Sequence, residues 1–129
     1  MKKSVAEYIK GRIKAFSYAF NGLRILFKGE RNAQIQLVLA IIALLLGVFL
    51  RISALEWVVV CMLIGLVFAI EAINTAIEYL ADFACNKKVE AYIKKTKDLS
   101  AAAVLITAIT ALIGGLIIFL PKLLSLCFF

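Results

Sequence analysis

A chain of 129 residues holds one domain at most, and 64% of it is hydrophobic, against roughly 45–50% in soluble globular domains. So short a chain has too little interior to hide that much apolar surface, which all but excludes a soluble globule. Only 18% of residues are charged and histidine is absent; zinc sites and histidine-based triads therefore lose their usual ligand and base.

Fifteen Lys/Arg against eight Asp/Glu give a net charge of +7, which raises nucleic acid as a partner. The distribution argues otherwise. The cations concentrate in Met1–Arg31 and Lys87–Lys97, which flank the apolar runs, as in a membrane protein with basic loops on one side. Cys61, Cys85 and Cys127 lie far apart with no CxxC spacing, so neither a disulfide framework nor a thiolate metal site is expected.

Taken in chain order, Val5, Ile9, Ile13, Phe16, Phe20, Leu23 and Phe27 recur at helical spacing. Lys2, Lys3, Lys10, Arg12, Lys14 and Arg24 surround that stripe. The pattern predicts an amphipathic helix over about 4–28, lying in the membrane interface. The first apolar run begins near Ala33, late for a signal peptide, and no small-residue cleavage site follows it. It predicts a first span over about 33–50, with Gln34 and Gln36 at its start; eighteen residues rise roughly 27 Å, just enough for a ~30 Å hydrocarbon layer.

Arg51–Glu56 reads as a short polar connector, with Trp57 where an interfacial aromatic belongs. A second, unbroken helix follows over about 53–85. Only Trp57–Ile70 of it is free of charge, so its later half leaves the membrane or faces protein. Asn86–Lys97 is polar and carries five lysines. The third span is expected over about 98–120, stopped by Pro121. Its small residues (Ala101, Ala102, Ala103, Ala108, Ala111, Gly114 and Gly115) permit close helix approach in lipid.

Met1–Asn32 holds eight Lys/Arg and Asn86–Lys97 five, whereas Arg51–Glu56 and the tail after Pro121 hold one each. The positive-inside bias predicts a cytoplasmic N-terminus and second loop, with the C-terminus outside.

The chemistry concentrates in Glu71-Ala-Ile-Asn-Thr-Ala-Ile-Glu-Tyr-Leu-Ala-Asp82. At 100° per residue, Glu71, Asn74, Thr75, Glu78 and Asp82 share one face about 100° wide. Glu71 and Glu78 are about 10 Å apart along the axis, so the carboxylates climb from the acyl boundary toward the cytoplasm. Carboxylates near lipid are unfavourable by a few kcal/mol or more and need cations, metal or neighbouring helices. A solvated helix end is the bland alternative for Glu78 and Asp82; Glu71, after fourteen uncharged residues, fits that reading least.

Further polar groups reach the same level. Glu30-Arg31-Asn32 precedes the first span, and Lys97-Asp98 precedes the third, where Asp98 is also placed to N-cap the helix. Two carboxylates suit Mg²⁺ held jointly with substrate phosphates, and a further carboxylate at the acyl boundary suits proton removal from a lipid hydroxyl. Together they read as phosphoryl transfer to a lipid. No GxxxxGK[ST] loop, GxGxxG, HRD or DFG element is present. A proton-coupled transporter using Glu71 is the alternative, although such a carrier rarely needs acids stacked toward one side.

Four segments carry a resemblance: Phe16-Ser-Tyr-Ala-Phe-Asn-Gly-Leu23, Glu30-Arg-Asn32, Glu71-Ala-Ile-Asn-Thr-Ala-Ile-Glu78 with Asp82, and Lys97-Asp-Leu-Ser-Ala-Ala-Ala-Val104. From about Arg12 to Ile118 the chain resembles the small integral-membrane diacylglycerol kinases of bacteria and the related undecaprenol kinases. The resemblance implies an all-α membrane protein with an N-terminal amphipathic surface helix and three transmembrane helices. It implies assembly as a homotrimer with shared active sites in the bacterial cytoplasmic membrane, no nucleic-acid partner, MgATP as donor and a lipid hydroxyl as acceptor. The product would be phosphatidic acid from diacylglycerol or undecaprenyl phosphate from undecaprenol.

Carried over by position, Glu71 looks like the general base, with Asn74 ordering the site. Glu30 and Glu78 look like Mg²⁺ ligands beside the ATP phosphates. Tyr18, Lys97 and Asp98 match nucleotide-contacting positions, and Lys87 and Lys88 fall in the loop expected to touch ATP. The diacylglycerol kinase branch carries an arginine near Gly11, where this chain has Arg12 one place on. The Glu30-Arg-Asn32 run looks more like the undecaprenol kinase branch, which usually continues to a histidine where this chain has Gln36. Both acceptor lipids stay open.

Overall fold

A computed structural model describes residues 4–85 and 90–127. Within them the chain forms four helices: α1 (Val5–Gly29), α2 (Arg31–Phe49), α3 (Ala54–Ala84) and α4 (Ala91–Cys127). The last three are long and apolar enough to cross a membrane. At 1.5 Å per residue, α2 is about 28 Å long and α3 about 46 Å, so α3 outreaches a ~30 Å hydrocarbon layer.

Local chemistry sets the boundaries. Ser4 accepts from the Glu7 N–H while Glu7 reaches back to the Ser4 N–H, and Ser53 with Glu56 repeats this reciprocal cap at the start of α3. Each pair satisfies two donors that a helix start otherwise leaves bare. Between α2 and α3 the turn passes through Arg51 at φ 49°, and the Ile52 N–H donates to the Gly47 carbonyl at 3.1 Å. A single residue, Glu30, separates α1 from α2. Its extended backbone (φ −105°, ψ 117°) makes an elbow, and Gln34 Nε2 donates back to the Phe27 and Lys28 carbonyls at 3.3 and 3.4 Å.

α3 runs antiparallel to both α2 and α4. Glu71 of α3 meets Gln36 near the start of α2, while Gly47 near its end packs on Trp57. At the opposite ends of α4, Lys97 pairs with Asp82 and Lys122 with Glu56. Ile52, Val60, Ile118 and Phe119 form an apolar cluster at the Ser53 end of α3. Polar side chains gather at the Ala84 end. At the elbow, Phe27 meets Phe68 edge-on, with centroids 5.1 Å apart, which fixes the end of α1 against α3. Large apolar side chains remain exposed along every helix, among them Leu45, Met62 and Leu105, as expected of surface that faces lipid or other helices.

The helix containing the third span is longer than its apolar stretch predicts. It begins at Ala91, so Asp98 is inside the helix rather than at its N-cap, paired with Lys94 one turn away at 3.0 Å. Good helix formers and this i,i+4 pair continue the helix into the polar segment. Pro121 does not stop it. Proline removes one backbone donor, but spanning helices tolerate the loss where neighbours compensate, and the Lys122 ammonium lies 3.3 Å from Glu56 of α3 just beyond. Lys87 and Lys88 lie outside the described residues.

Candidate active site

The face shared by Glu71, Asn74, Thr75, Glu78 and Asp82 is the face that α3 turns inward. Glu71 is 2% exposed, Asn74 6% and Thr75 7%, while Glu78 and Asp82 are half-buried nearer the helix end. The inward side is therefore polar over three turns of a helix that is otherwise Leu, Ile, Val and Ala.

Three bonds tie this stretch of α3 to the other elements, and a fourth runs within it. Deepest, Gln36 Nε2 of α2 donates to Glu71 Oε2 at 2.9 Å. One turn along α3, Asn74 Nδ2 donates to Glu78 Oε1 at 3.1 Å. Beyond it, the Tyr79 hydroxyl donates to Glu30 Oε1 at 2.8 Å, and Lys97 of α4 holds Asp82 Oδ1 at 2.9 Å. Glu30 occupies the N-cap of α2 but makes no side-chain cap there. Its carboxylate turns to α3 instead.

Two oxygens stand out by what they lack. The carbonyl oxygens of Asn74 and Gln36 are buried without a hydrogen-bond partner, each at a cost of about 1–3 kcal/mol. Asn74 Oδ1 lies on the residue that also holds Glu78, so a carboxylate and a bare amide oxygen come together. Glu30 and Glu78 each have one carboxylate oxygen engaged by a neutral donor, leaving the other as a hard oxygen ligand of the kind Mg²⁺ prefers. Among the described residues no three acidic or cysteine side chains converge to hold a metal alone. That suits Mg²⁺, which commonly takes one or two carboxylates and completes its shell with phosphates and water.

The predicted residues are not all gathered. Glu71, Asn74 and Glu78 lie along one helix face, Glu30 joins them through Tyr79, and Lys97 through Asp82. Tyr18 stands apart on α1, 64% exposed, with the Lys14 ammonium 5.9 Å from its ring. Asp98 is exposed and paired with Lys94 instead. Gln36 and Tyr79 are the participants to which sequence reasoning gave no role in the site. Gln36 was visible as a polar residue in an apolar run; Tyr79, which falls about 80° round the helix from Glu71, was not.

Below the polar groups lies a cavity of about 420 Å³ between α2, α3 and α4. Its walls are apolar side chains such as Leu39, Val67, Phe68 and Leu112, and Gln36 is the polar residue among those that line it.

Three helices apolar and long enough to cross a membrane, with an inward carboxylate array at one end above an apolar cavity, are the architecture of a multi-pass membrane protein. The sequence profile of prokaryotic diacylglycerol kinase matches residues 17–119, and the chain belongs to that family. It is 38% identical over 110 residues to an undecaprenol kinase of Bacillus subtilis (strain 168), covering 85% of this chain and 89% of that one. It is 30% identical over 126 residues to a diacylglycerol kinase of Synechocystis sp., covering 98% and 72%, and 31% identical over 101 residues to a diacylglycerol kinase of Escherichia coli (strain K12), covering 78% and 82%. The protein is thus a lipid kinase of the diacylglycerol/undecaprenol kinase type, which sets aside the carrier reading of Glu71.

Proposed function

We propose that the protein transfers the γ-phosphate of ATP to the hydroxyl of a membrane lipid, diacylglycerol or undecaprenol. The observation that carries this reading is the Glu71 carboxylate, 2% exposed and bonded to the polar residue that lines the apolar cavity. A lipid hydroxyl delivered from the acyl region toward the polar end of α3 would reach Glu71 before Glu78 or Asp82.

The reaction divides among the residues as follows. Glu71 takes the hydroxyl proton; the freed oxygen bonds to the γ-phosphorus, the bond to the β-phosphate oxygen breaks, and ADP leaves. Glu30 and Glu78 would hold Mg²⁺, which supplies charge neutralisation on the phosphates when bound. Asn74 keeps Glu78 oriented and offers its own bare carbonyl oxygen. Lys97, already turned inward by Asp82, places a cation for the nucleotide phosphates.

Tyr18 and Asp98, set as nucleotide contacts by position, are exposed in the single protomer, which fits a site completed by a second copy in a homotrimer. Three spans are also too thin to enclose lipid, metal and nucleotide alone. The cation count supports a cytoplasmic N-terminus and a cytoplasmic polar end of α3, as suits a kinase of the bacterial cytoplasmic membrane that draws on ATP.

The deciding experiment supplies purified protein with γ-labelled ATP and Mg²⁺, and with diacylglycerol or undecaprenol separately. Label in either lipid supports the reading and names the acceptor. Label in neither, from folded protein, removes it.

A further inference from the structure

Gln36 is held where packing alone would place an apolar residue. Ile35, Leu37 and the rest of α2 to Phe49 are apolar, as are its neighbours around the cavity. Its carbonyl oxygen is nevertheless buried without a partner, a standing cost that an aliphatic side chain would avoid. The other end of the amide accounts for it: Nε2 donates across the helix boundary to Glu71 Oε2 at 2.9 Å. The N–H end of the amide faces the carboxylate, whereas the reversed amide would set oxygen against oxygen. The donation engages one carboxylate oxygen and leaves Oε1 of Glu71 to take a proton.

Resting on the kinase reading above, we propose that Gln36 is the positioning residue of Glu71. From α2 it fixes which oxygen of the base faces the acceptor hydroxyl. It touches the base and not the phosphates, so its influence falls on turnover rather than on substrate binding.

The test uses purified full-length protein, γ-labelled ATP, Mg²⁺ and whichever of the two lipids the wild type phosphorylates. Gln36→Leu is expected to lower kcat by about ten- to a hundredfold, the size of a lost charge-assisted hydrogen bond with its orienting role, while KM for ATP and lipid stays within about twofold. In a Glu71→Gln background the same substitution is expected to change residual turnover by less than about twofold, because the two side chains act as one unit. A wild-type kcat in Gln36→Leu, or the same loss in both backgrounds, overturns the proposal and leaves Gln36 a packing residue. Should Gln36→Leu fail to fold, the near-isosteric Gln36→Glu carries the test. It sets an acceptor where the donor was, so kcat is expected to fall by about tenfold or more while KM for ATP and lipid stays within about twofold; a wild-type kcat overturns the proposal. An active wild type with an indifferent Gln36 overturns this inference alone, whereas a wild type that labels no lipid overturns the kinase reading with it.

Discussion

The hydroxyl of Tyr79 donates to Glu30 at 2.8 Å across 49 residues of sequence. The contact ties the α1–α2 elbow to α3, and it occurs because Glu30 leaves the N-cap of α2 uncapped. Gly29 lies beside it, where an added Cβ would sit 3.9 Å from the Tyr79 hydroxyl. Tyr79→Phe keeps the ring and deletes only the donor. Because the pair is solvent-accessible, its loss is modest: the Mg²⁺ concentration for half-maximal turnover is expected to rise about three- to tenfold. A Mg²⁺ titration of lipid phosphorylation checks this, and an unchanged midpoint would show that Tyr79 does not orient Glu30 for metal.

Glu71→Gln preserves the shape of the most buried carboxylate and removes its basicity. Turnover is expected to drop by about 10²–10⁴, the usual share of a general base, with the protein still folded and eluting as the wild type does in size-exclusion chromatography. Near-normal turnover would take the base role from Glu71.

Glu78→Gln and Glu30→Gln each exchange a hard anionic ligand for a neutral amide. Both are expected to shift the Mg²⁺ requirement upward by about tenfold or more, with part of the maximal rate recovered at high Mg²⁺. Asn74→Ala, which frees Glu78 and deletes the unpartnered amide oxygen, should move the midpoint in the same direction. Wild-type Mg²⁺ dependence in Glu78→Gln and Glu30→Gln would dissociate both carboxylates from the metal.

Much of this was legible because helical periodicity is local. The shared face of Glu71, Asn74, Thr75, Glu78 and Asp82 followed from spacing alone, and α3 ends within a residue of where Ser53 and Cys85 placed it. The start of α4 was not legible in the same way. Polarity marks where a chain leaves lipid, but it does not end a helix rich in Ala and Lys, so Asp98 lies inside α4 instead of capping it. Cross-helix partners were least visible. Gln36 with Glu71 is a pairing over 35 residues, and only the antiparallel register of α2 on α3 brings the two together.

The Lys97–Asp82 pair separates a substrate contact from its support. Its side chains are 37% and 47% exposed, so the ion pair itself contributes at most about 1 kcal/mol. Asp82→Asn is therefore expected to raise KM for ATP by less than about fivefold. Lys97→Met, which removes the cation proposed for the phosphates, should raise it by more than about tenfold. Steady-state kinetics with varied ATP distinguishes them; equal effects would mean that Lys97 acts only through Asp82.

At the far end of the bundle, stability and activity should part. A Cβ on Gly47 would fall 2.8 Å from Trp57 Cη2 and 3.1 Å from Ile52 Cδ1. Both neighbours are pinned, Trp57 against the apolar cluster and Ile52 by the turn that follows α2, so neither can give way cheaply. Gly114 poses the opposite case: its added Cβ would meet only the methyl end of Leu63, at 2.6 Å, and that side chain has other rotamers. Gly47→Ala is expected to lower stability by about 1–3 kcal/mol through overpacking, and Gly114→Ala by less. Thermal unfolding in detergent, followed by circular dichroism, measures the difference. Because Gly47 lies at the end of α2 away from Glu71, folded Gly47→Ala should keep wild-type KM values. A selective loss of turnover without loss of stability would mean that the packing at Trp57 is transmitted along α2 to the base.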